Sequence, residues 1–542
     1  MSVTELEKPP LATPDTLQPI LGPRFALGWI ETLACGWFAL FFLYLNYIPL
    51  FHSDLWGHVL FGSWILEHGR LPAQDPFLAV AEGMPVIDNA WLGQVLLAAA
   101  DAFGGPHMLS NLFAVTVFAS YFIQTRTFYL MSGNLTLSLL GMAFSFFMGF
   151  SRHAIIRPEI FGVLCFSIML WMIVRITPWR ERTQAFAHAE SRSVPGWLWV
   201  GLPLLFVAWA NLHGSFVVGL LVLALHAVAR IIEVACKQRS LFAILQDTSA
   251  QTWVILTELC LAATLINPYG IDLLFATASF GSNANLQDVM EWFPMKLIAL
   301  EGIQFCIGVV TLIILFRHSR QRVSLVDALM LLVLTATTAK AIRMIGWFAP
   351  VLAFTLVPHM SELWNRYVPS EWFDFSERPR FSADGKPRFT LSLAALLCIW
   401  VGFALSPISQ VVLGGKTRRD DQLYSRFTPL ELSAYLRENP PEGLVFAPQW
   451  WGDWLIWSTG KKVDVFMTTN VHLVPRIAWR DYMRVAEGNS EWEATLDRYN
   501  TKWLVVHKEL QERLAQLARR SRVWSVVYED EESLLLKRSE AS

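Results

Sequence analysis

Leu45-Asn46-Tyr47-Ile48-Pro49-Leu50-Phe51-His52-Ser53-Asp54-Leu55-Trp56-Gly57-His58 is the stretch where the chain changes solvent. An apolar run over residues 26–48 precedes it, and a bilayer span needs roughly 20 such residues. The run ends at Tyr47-Ile48-Pro49 with no small-residue cleavage site, so it reads as a retained membrane anchor. Two imidazoles, a hydroxyl and a carboxylate then gather within the next few positions. The sequence therefore predicts a helix that exits a membrane into a polar outer segment.

The same reading repeats along the chain. Further apolar runs lie near 107–124, 134–150, 159–175, 196–211, 214–232, 251–267, 297–316, 324–340, 344–359 and 389–412. With the first, they predict about eleven transmembrane helices. A shorter segment, 91–104, carries Asp101 and reads as an interfacial or re-entrant helix. Composition agrees: 542 residues, 54% hydrophobic, 16% charged, formal net charge -2 and mean hydropathy +0.40. Soluble domains carry about 25% charged residues, so this is a polytopic α-helical membrane protein. Widespread disorder and a nucleic-acid-binding surface are both excluded by this balance. The six cysteines lie in or beside apolar runs without a C-x-x-C pair and read as core hydrophobes.

Lys and Arg in the loops set the orientation. With the N-terminus inside, eighteen fall on the inner side and six on the outer side before the last span. The expected organisation is a cytoplasmic tail over 1–25 and a transmembrane domain over 26–412 with a large first outer loop at 51–106. An extracytoplasmic α/β domain over 413–542 completes it. In that last part, runs at 444–447, 463–466, 503–506 and 524–527 read as buried strands, with helical patterns near 428–437, 491–499 and 508–520. It contains no phosphate-binding glycine loop and no nucleophile elbow, so a binding or scaffolding role is its default reading.

Polar residues at membrane depth are costly and need a reason to persist. Here they collect on the predicted outer side. The first outer loop gives Asp54, His58, Asp75, Asp88 and Asn89. Later turns add Arg152, His153, Arg157, Glu159, Asn211, His213, Asn267, Tyr269, Asp288, Glu291, Trp292, Lys340 and Arg343. Asp54 and His58 share a helix face at i, i+4. They suit a metal, or a base and its orienting partner. Equally, Ser53 caps a short helix there and Asp54 complements its dipole. Asp75 sits in turn chemistry, Asp88 or Asn89 is placed as an N-cap, and Asn211 and His213 lie in a tight turn between spans.

These residues carry a resemblance. Asp54-Leu55-Trp56-Gly57-His58, residues 69–77, Arg157-Pro158, Trp209-Ala210-Asn211-Leu212-His213-Gly214, Asn267-Pro268-Tyr269-Gly270 and Glu291-Trp292 resemble a set of uncharacterised bacterial multi-pass membrane proteins. More broadly, the long first outer loop with an acid just after the first span resembles the GT-C superfamily of integral membrane glycosyltransferases. The likeness covers about residues 26–360 and continues at Trp451-Gly452-Asp453-Trp454-Leu455-Ile456-Trp457. It implies a donor sugar on a polyprenyl phosphate, an acceptor that is a lipid, glycan or protein on the outer side, and transfer with inversion. Asp54 would be the catalytic carboxylate, acting as general base or positioning a metal, with His58 orienting it or joining it at the metal. Lys340 and Arg343 stand in a short outer turn against the charge trend, so they read either as partners of headgroup phosphates or of acids such as Asp288 and Glu291, or, with Arg157, as the group that holds the donor phosphate. Asp88, Asn89, Asn211, His213, Tyr269, Glu291 and Trp292 would line the cavity. The cofactor is open: a divalent cation on Asp54 and His58 is one candidate, yet the first loop has no D-x-D or Asp-Glu pair. Other classes consistent with the sequence are a non-catalytic scaffold, a lipid or glycan transporter, and a surface-polysaccharide polymerase or ligase.

Overall fold

The computed structural model describes residues 22–51, 53–176, 194–369 and 388–539. The inner-loop cations at 180, 182, 192, 378, 380 and 386 and most of the N-terminal tail lie outside the described residues. Each of the eleven predicted spans coincides with a helix. These are α1 (Trp29–Asn46), the second half of α3 (Trp91–Ser132), α4 (Leu135–His153), α5 (Glu159–Ile176), α6 (Leu198–Leu212), α7 (Phe216–Gln238), α8 (Thr248–Thr264), α10 (Leu300–His318), α11 (Leu325–Lys340), α12 (Ile345–Tyr367) and α13 (Thr390–Leu405). Between them lie α2 (Leu55–His68) and α9 (Ile271–Ser279). Among the described residues seven helices are long and apolar enough to cross a membrane, or eight if α13 and α14 (Pro407–Leu413), bent by 82°, are one span. The other three, α6, α8 and α11, are 15 to 17 residues long. The chain is an integral membrane protein.

Local chemistry ends these helices where the sequence says it should. Asn134 and Asp247 accept a backbone N–H of the first turns of α4 and α8, at 3.1 and 2.8 Å. The segment 91–104 forms a helical piece of its own, divided from the next span by a non-helical break. Gly104 and Gly105 break α3, with Gly105 at φ +62, a conformation that glycine takes without a Cβ penalty. The first part of α3 packs against α2 across Gly62. There an added Cβ would collide with the Gln94 carbonyl, so the close approach of the two helices depends on this glycine.

The C-terminal region is a five-stranded sheet ordered β2-β1-β3-β5-β4. β1 (Leu444–Phe446) is parallel to β2 (Asp464–Val465) and β3 (Trp503–His507). β5 (Ser533–Arg538) runs antiparallel to β3 and β4 (Trp524–Glu529). β5 was not expected from the sequence. Its Leu534-Leu535-Leu536 core is followed at once by Lys and Arg at the chain end, which hides the strand pattern. The helix α15 (Gln449–Ser458) docks this domain onto α2. Trp56 is fully buried between Trp454 and Trp457, with ring centroids 4.9 and 4.1 Å away. Leu50 and the 423–425 segment exchange backbone hydrogen bonds of 2.8 and 2.7 Å. A second staple holds the turn after α9: Asn285 donates to the carbonyls of Val471 and Val474, and Arg476 pairs with Asp288 at 2.5 Å.

Candidate functional site

A cavity of about 480 Å³ opens where α2, the start of α3, the α4–α5 turn, the 286–292 segment and the start of α12 meet residues 469–473 of the C-terminal domain. Asp54 is the residue immediately before α2, and its side chain makes no capping hydrogen bond. Its Oδ2 lies 3.4 Å from Arg157 Nη1, and its Oδ1 is buried with no hydrogen-bond partner. The carboxylate is therefore not spent on the helix end.

His58 stands one turn along α2. Its Nε2 is 4.0 Å from Asp54 Oδ2 and its Nδ1 is 3.3 Å from Gln94 Nε2. Gln94 Nε2 also donates to Asp88 Oδ1 at 3.2 Å, which fixes the amide orientation. Nδ1 of His58 then accepts, and Nε2 carries the proton towards Asp54. Burial pushes the His58 pKa down to about 4, with Asp54 opposing and Arg157 adding to the shift. At neutral pH the contact with Asp54 is thus a neutral imidazole beside a carboxylate and not an ion pair. Asp88 also accepts the Ala90 N–H at 2.9 Å, an Asx turn opening α3; burial raises its pKa to about 6. Asp75 makes the turn expected of it, accepting from the Phe77 N–H at 2.8 Å.

The charged centre of the cavity is a chain of ion pairs. Arg152 donates to Glu159 and to Glu291, both at 2.6 Å. Arg157 donates to Glu291 at 3.1 Å. Burial opposes ionisation of Glu291, but Arg152, Arg157 and Arg343 outweigh it and hold the carboxyl well below its ordinary range. Likewise burial works against the Arg157 cation, while Asp54 and Glu291 more than restore it. Arg343 differs. It makes no ion pair with any described carboxylate; its guanidinium lies 4.4 Å from the centroid of the Trp292 ring, a cation–π geometry.

Asp54, His58, Asp88, Asn89, Arg157, His213, Glu291, Trp292 and Arg343 all line this one cavity, although up to 289 positions separate the first from the last. Three expected members do not line it. Asn211 is used up in bracing, accepting from Trp91 Nε1 at 2.9 Å and donating to the carbonyls of Val207 and Ile266. Tyr269 sits outside the wall, and Lys340 is exposed at the end of α11. Residues that sequence reasoning did not place are Gln94 and the 469–473 wall. Asp453, on α15, was seen only within a quoted motif. It is 2% exposed and accepts from the backbone N–H and the hydroxyl of Thr469. Its Oδ1 would lie 2.5 Å from a Cβ added to Gly57, so the glycine lets this carboxylate touch α2 within a turn of Asp54.

A metal was one reading of Asp54 and His58. Among the described residues no three His, Cys, Asp or Glu side chains gather as a metal site. The positions beside the carboxylates are taken by guanidinium groups instead. The described residues as arranged do not fit a bound divalent ion.

No protein-family model matches the sequence, and no curated protein matches it. Solved structures do match in fold. Archaeal oligosaccharyltransferase AglB from Archaeoglobus fulgidus, in complex with an inhibitory peptide and a dolichol-phosphate, superposes with a TM-score of 0.54 at 12% identity. The match covers 89% of this chain and 70% of that one. The apo form of the Archaeoglobus fulgidus oligosaccharyltransferase gives 0.53 at 12% identity over the same shares. The form tethered to an acceptor peptide containing the NVT sequon gives 0.53 at 13% identity, covering 94% of this chain and 74% of that one. The chain has the fold of this membrane oligosaccharyltransferase: an apolar helical bundle followed by a C-terminal domain, as the GT-C resemblance implied.

Proposed function

We propose that the protein is an integral membrane glycosyltransferase of the GT-C type. It moves a sugar from a polyprenyl-phosphate donor to a lipid, glycan or protein acceptor on the extracytoplasmic side, with inversion at the anomeric carbon. The observation that carries this reading is the pairing of opposites in one cavity. Among the described residues, Asp54 has a buried carboxylate oxygen without a hydrogen-bond partner, and Arg343 is a guanidinium that forms no ion pair although Glu291 lies in the same cavity. The fold likeness supports it, since the matching enzyme was solved with dolichol-phosphate and with an acceptor peptide.

In this mechanism the Asp54 carboxylate takes the proton of the acceptor O–H or N–H. The acceptor atom bonds to the anomeric carbon as the carbon–oxygen bond to phosphate breaks, and the electron pair leaves on the phosphate oxygen. Arg343 and Arg157 stabilise that developing charge. Neutral His58 presents its N–H towards Asp54 and closes on it once substrate is bound, since such contacts are often long before then. Asp88 and Asn89 face the sugar hydroxyls. Lys340 serves at headgroup level. The loop charge split supports an inner-membrane protein with its N-terminus cytoplasmic and residues 413–542 outside.

The test is transfer by the purified protein from a polyprenyl-phosphate sugar. Asp54→Asn keeps the shape and loses the base, so turnover should fall about 10²- to 10⁴-fold while expression is unchanged. Full turnover in that variant would overturn the assignment.

A further inference from the structure

Asp54, Glu159 and Glu291 are already paired, each with arginine. Asp54 lies 3.4 Å from Arg157, Glu159 is 2.6 Å from Arg152, and Glu291 bridges Arg152 and Arg157. These side chains are largely withdrawn from water: Arg152 is 6% exposed, Arg157 14% and Glu159 4%. A divalent ion landing on Asp54 or Glu291 must expel a guanidinium into an apolar surround and leave it unpaired, which is unfavourable. An arriving phosphate meets no such obstacle. Arg343 is a cation with no described carboxylate partner, held on the flat face of Trp292 at the cavity wall. Arg157 stands across the same space, with its Nε buried and unbonded. A guanidinium fork matches phosphate oxygens two at a time.

We propose that guanidinium groups replace a divalent cation in this protein: the donor phosphate is bound by Arg343, assisted by Arg157, with no metal between protein and ligand. This rests on the lipid-phosphate donor reading above. It assigns the site a metal-independent affinity for a phosphate monoester or diester carried on a prenyl chain.

The experiment uses the full-length protein in detergent micelles and a short-chain prenyl phosphate as probe. Binding is followed by the ligand-induced rise in unfolding temperature and by titration calorimetry. Affinity should be the same within about twofold in excess EDTA and in millimolar Mg²⁺ or Mn²⁺, since loss of even one hydrogen bond to a charged group would be a larger effect. Arg343→Ala should weaken binding at least about tenfold in EDTA, the size expected for losing such a bond. Arg343→Lys, which keeps the charge but not the fork, should fall between the two and guards against a folding defect in the alanine variant. Probe binding that appears only with a divalent ion overturns the inference and leaves the donor reading standing. Wild-type affinity in both Arg343 variants also overturns it. Absence of binding in every buffer overturns the donor reading and the inference with it.

Discussion

The cavity has two walls of different chemistry. The wall built by the helical bundle and its outer turns carries Asp54, Arg157, Glu159, Glu291 and Arg343, backed by Arg152, and nearly all are in mutual ion pairs. The wall supplied by the C-terminal domain offers Thr469, Asn470 and His472, and burial lowers the His472 pKa to about 4, so this side is neutral at pH 7. The contrast separates two tasks. On the proposed reading, the charge that faces a lipid-borne phosphate is carried by the bundle, where ion pairs hold every group but Arg343. The domain wall contributes shape and uncharged hydrogen-bonding groups, and is attached through Trp56, Asn285 and Asp453. One wall should fail when a partner is removed, and the other when its seam is disturbed.

The largest effect is expected from the paired wall. Arg152→Ala leaves Glu159 and Glu291 without their shared cation, and breaking a buried pair this way costs about 3–5 kcal/mol. The unfolding midpoint of purified protein should drop accordingly, and probe binding should fall with it. A variant as stable as wild type would show that the pairs do not hold this wall together. By contrast, Arg343→Ala removes no described ion pair, so its stability should stay near wild type.

The seam comes next. Gly57→Ala places a methyl 2.5 Å from Asp453 Oδ1, which is itself held by Thr469. Such overpacking costs about 1–3 kcal/mol. The consequence should be seen as a lower turnover with little change in donor affinity, because the proposed phosphate site lies in the other wall. Equal loss of both would merge the two walls into one unit.

A further effect is a pH dependence. Burial raises the Asp453 pKa to about 7 from 3.8, against the opposing Thr469 hydrogen bonds. The folded protein therefore keeps a proton that the unfolded chain has released between those two values. Stability from this group falls as pH rises through that window and is lowest above about pH 7. Asp453→Asn removes the titration, so the difference in unfolding midpoint between the two proteins should grow from about pH 5 to about pH 8. Parallel curves would mean that Asp453 does not titrate there. Asp88, raised to about 6, acts in the same direction and remains as background in both proteins.

Much of the bundle was legible because a helix in lipid must be apolar along its whole length, a property each segment carries alone. The concentration of polar residues at the outer ends of helices was legible for the same reason: each is an exception to its own segment. Asp54 and Arg343 stood out in this way. Asn211 and Tyr269 carried the same signal and yet do not line the cavity, because an amide at a helix end is equally suited to brace backbone, as Asn211 does with Val207 and Ile266. The kink between 91–104 and the next span depended on one positive-φ glycine, which hydropathy does not weigh.

The sequence by itself determined a multi-pass helical membrane protein with a small α/β domain and an acid placed just beyond the first span. Only the tertiary structure decided that Arg157 reaches Asp54, that Arg152 joins Glu159 to Glu291, and that Arg343 is left over Trp292. It alone brought residues 469–473 into the cavity wall, more than 400 positions after Asp54. The physical reason is that hydropathy is summed over neighbours in the chain, whereas ion pairing falls off over a few ångströms in space. Which cation meets which acid is set by helix packing, and packing is a property of the whole fold.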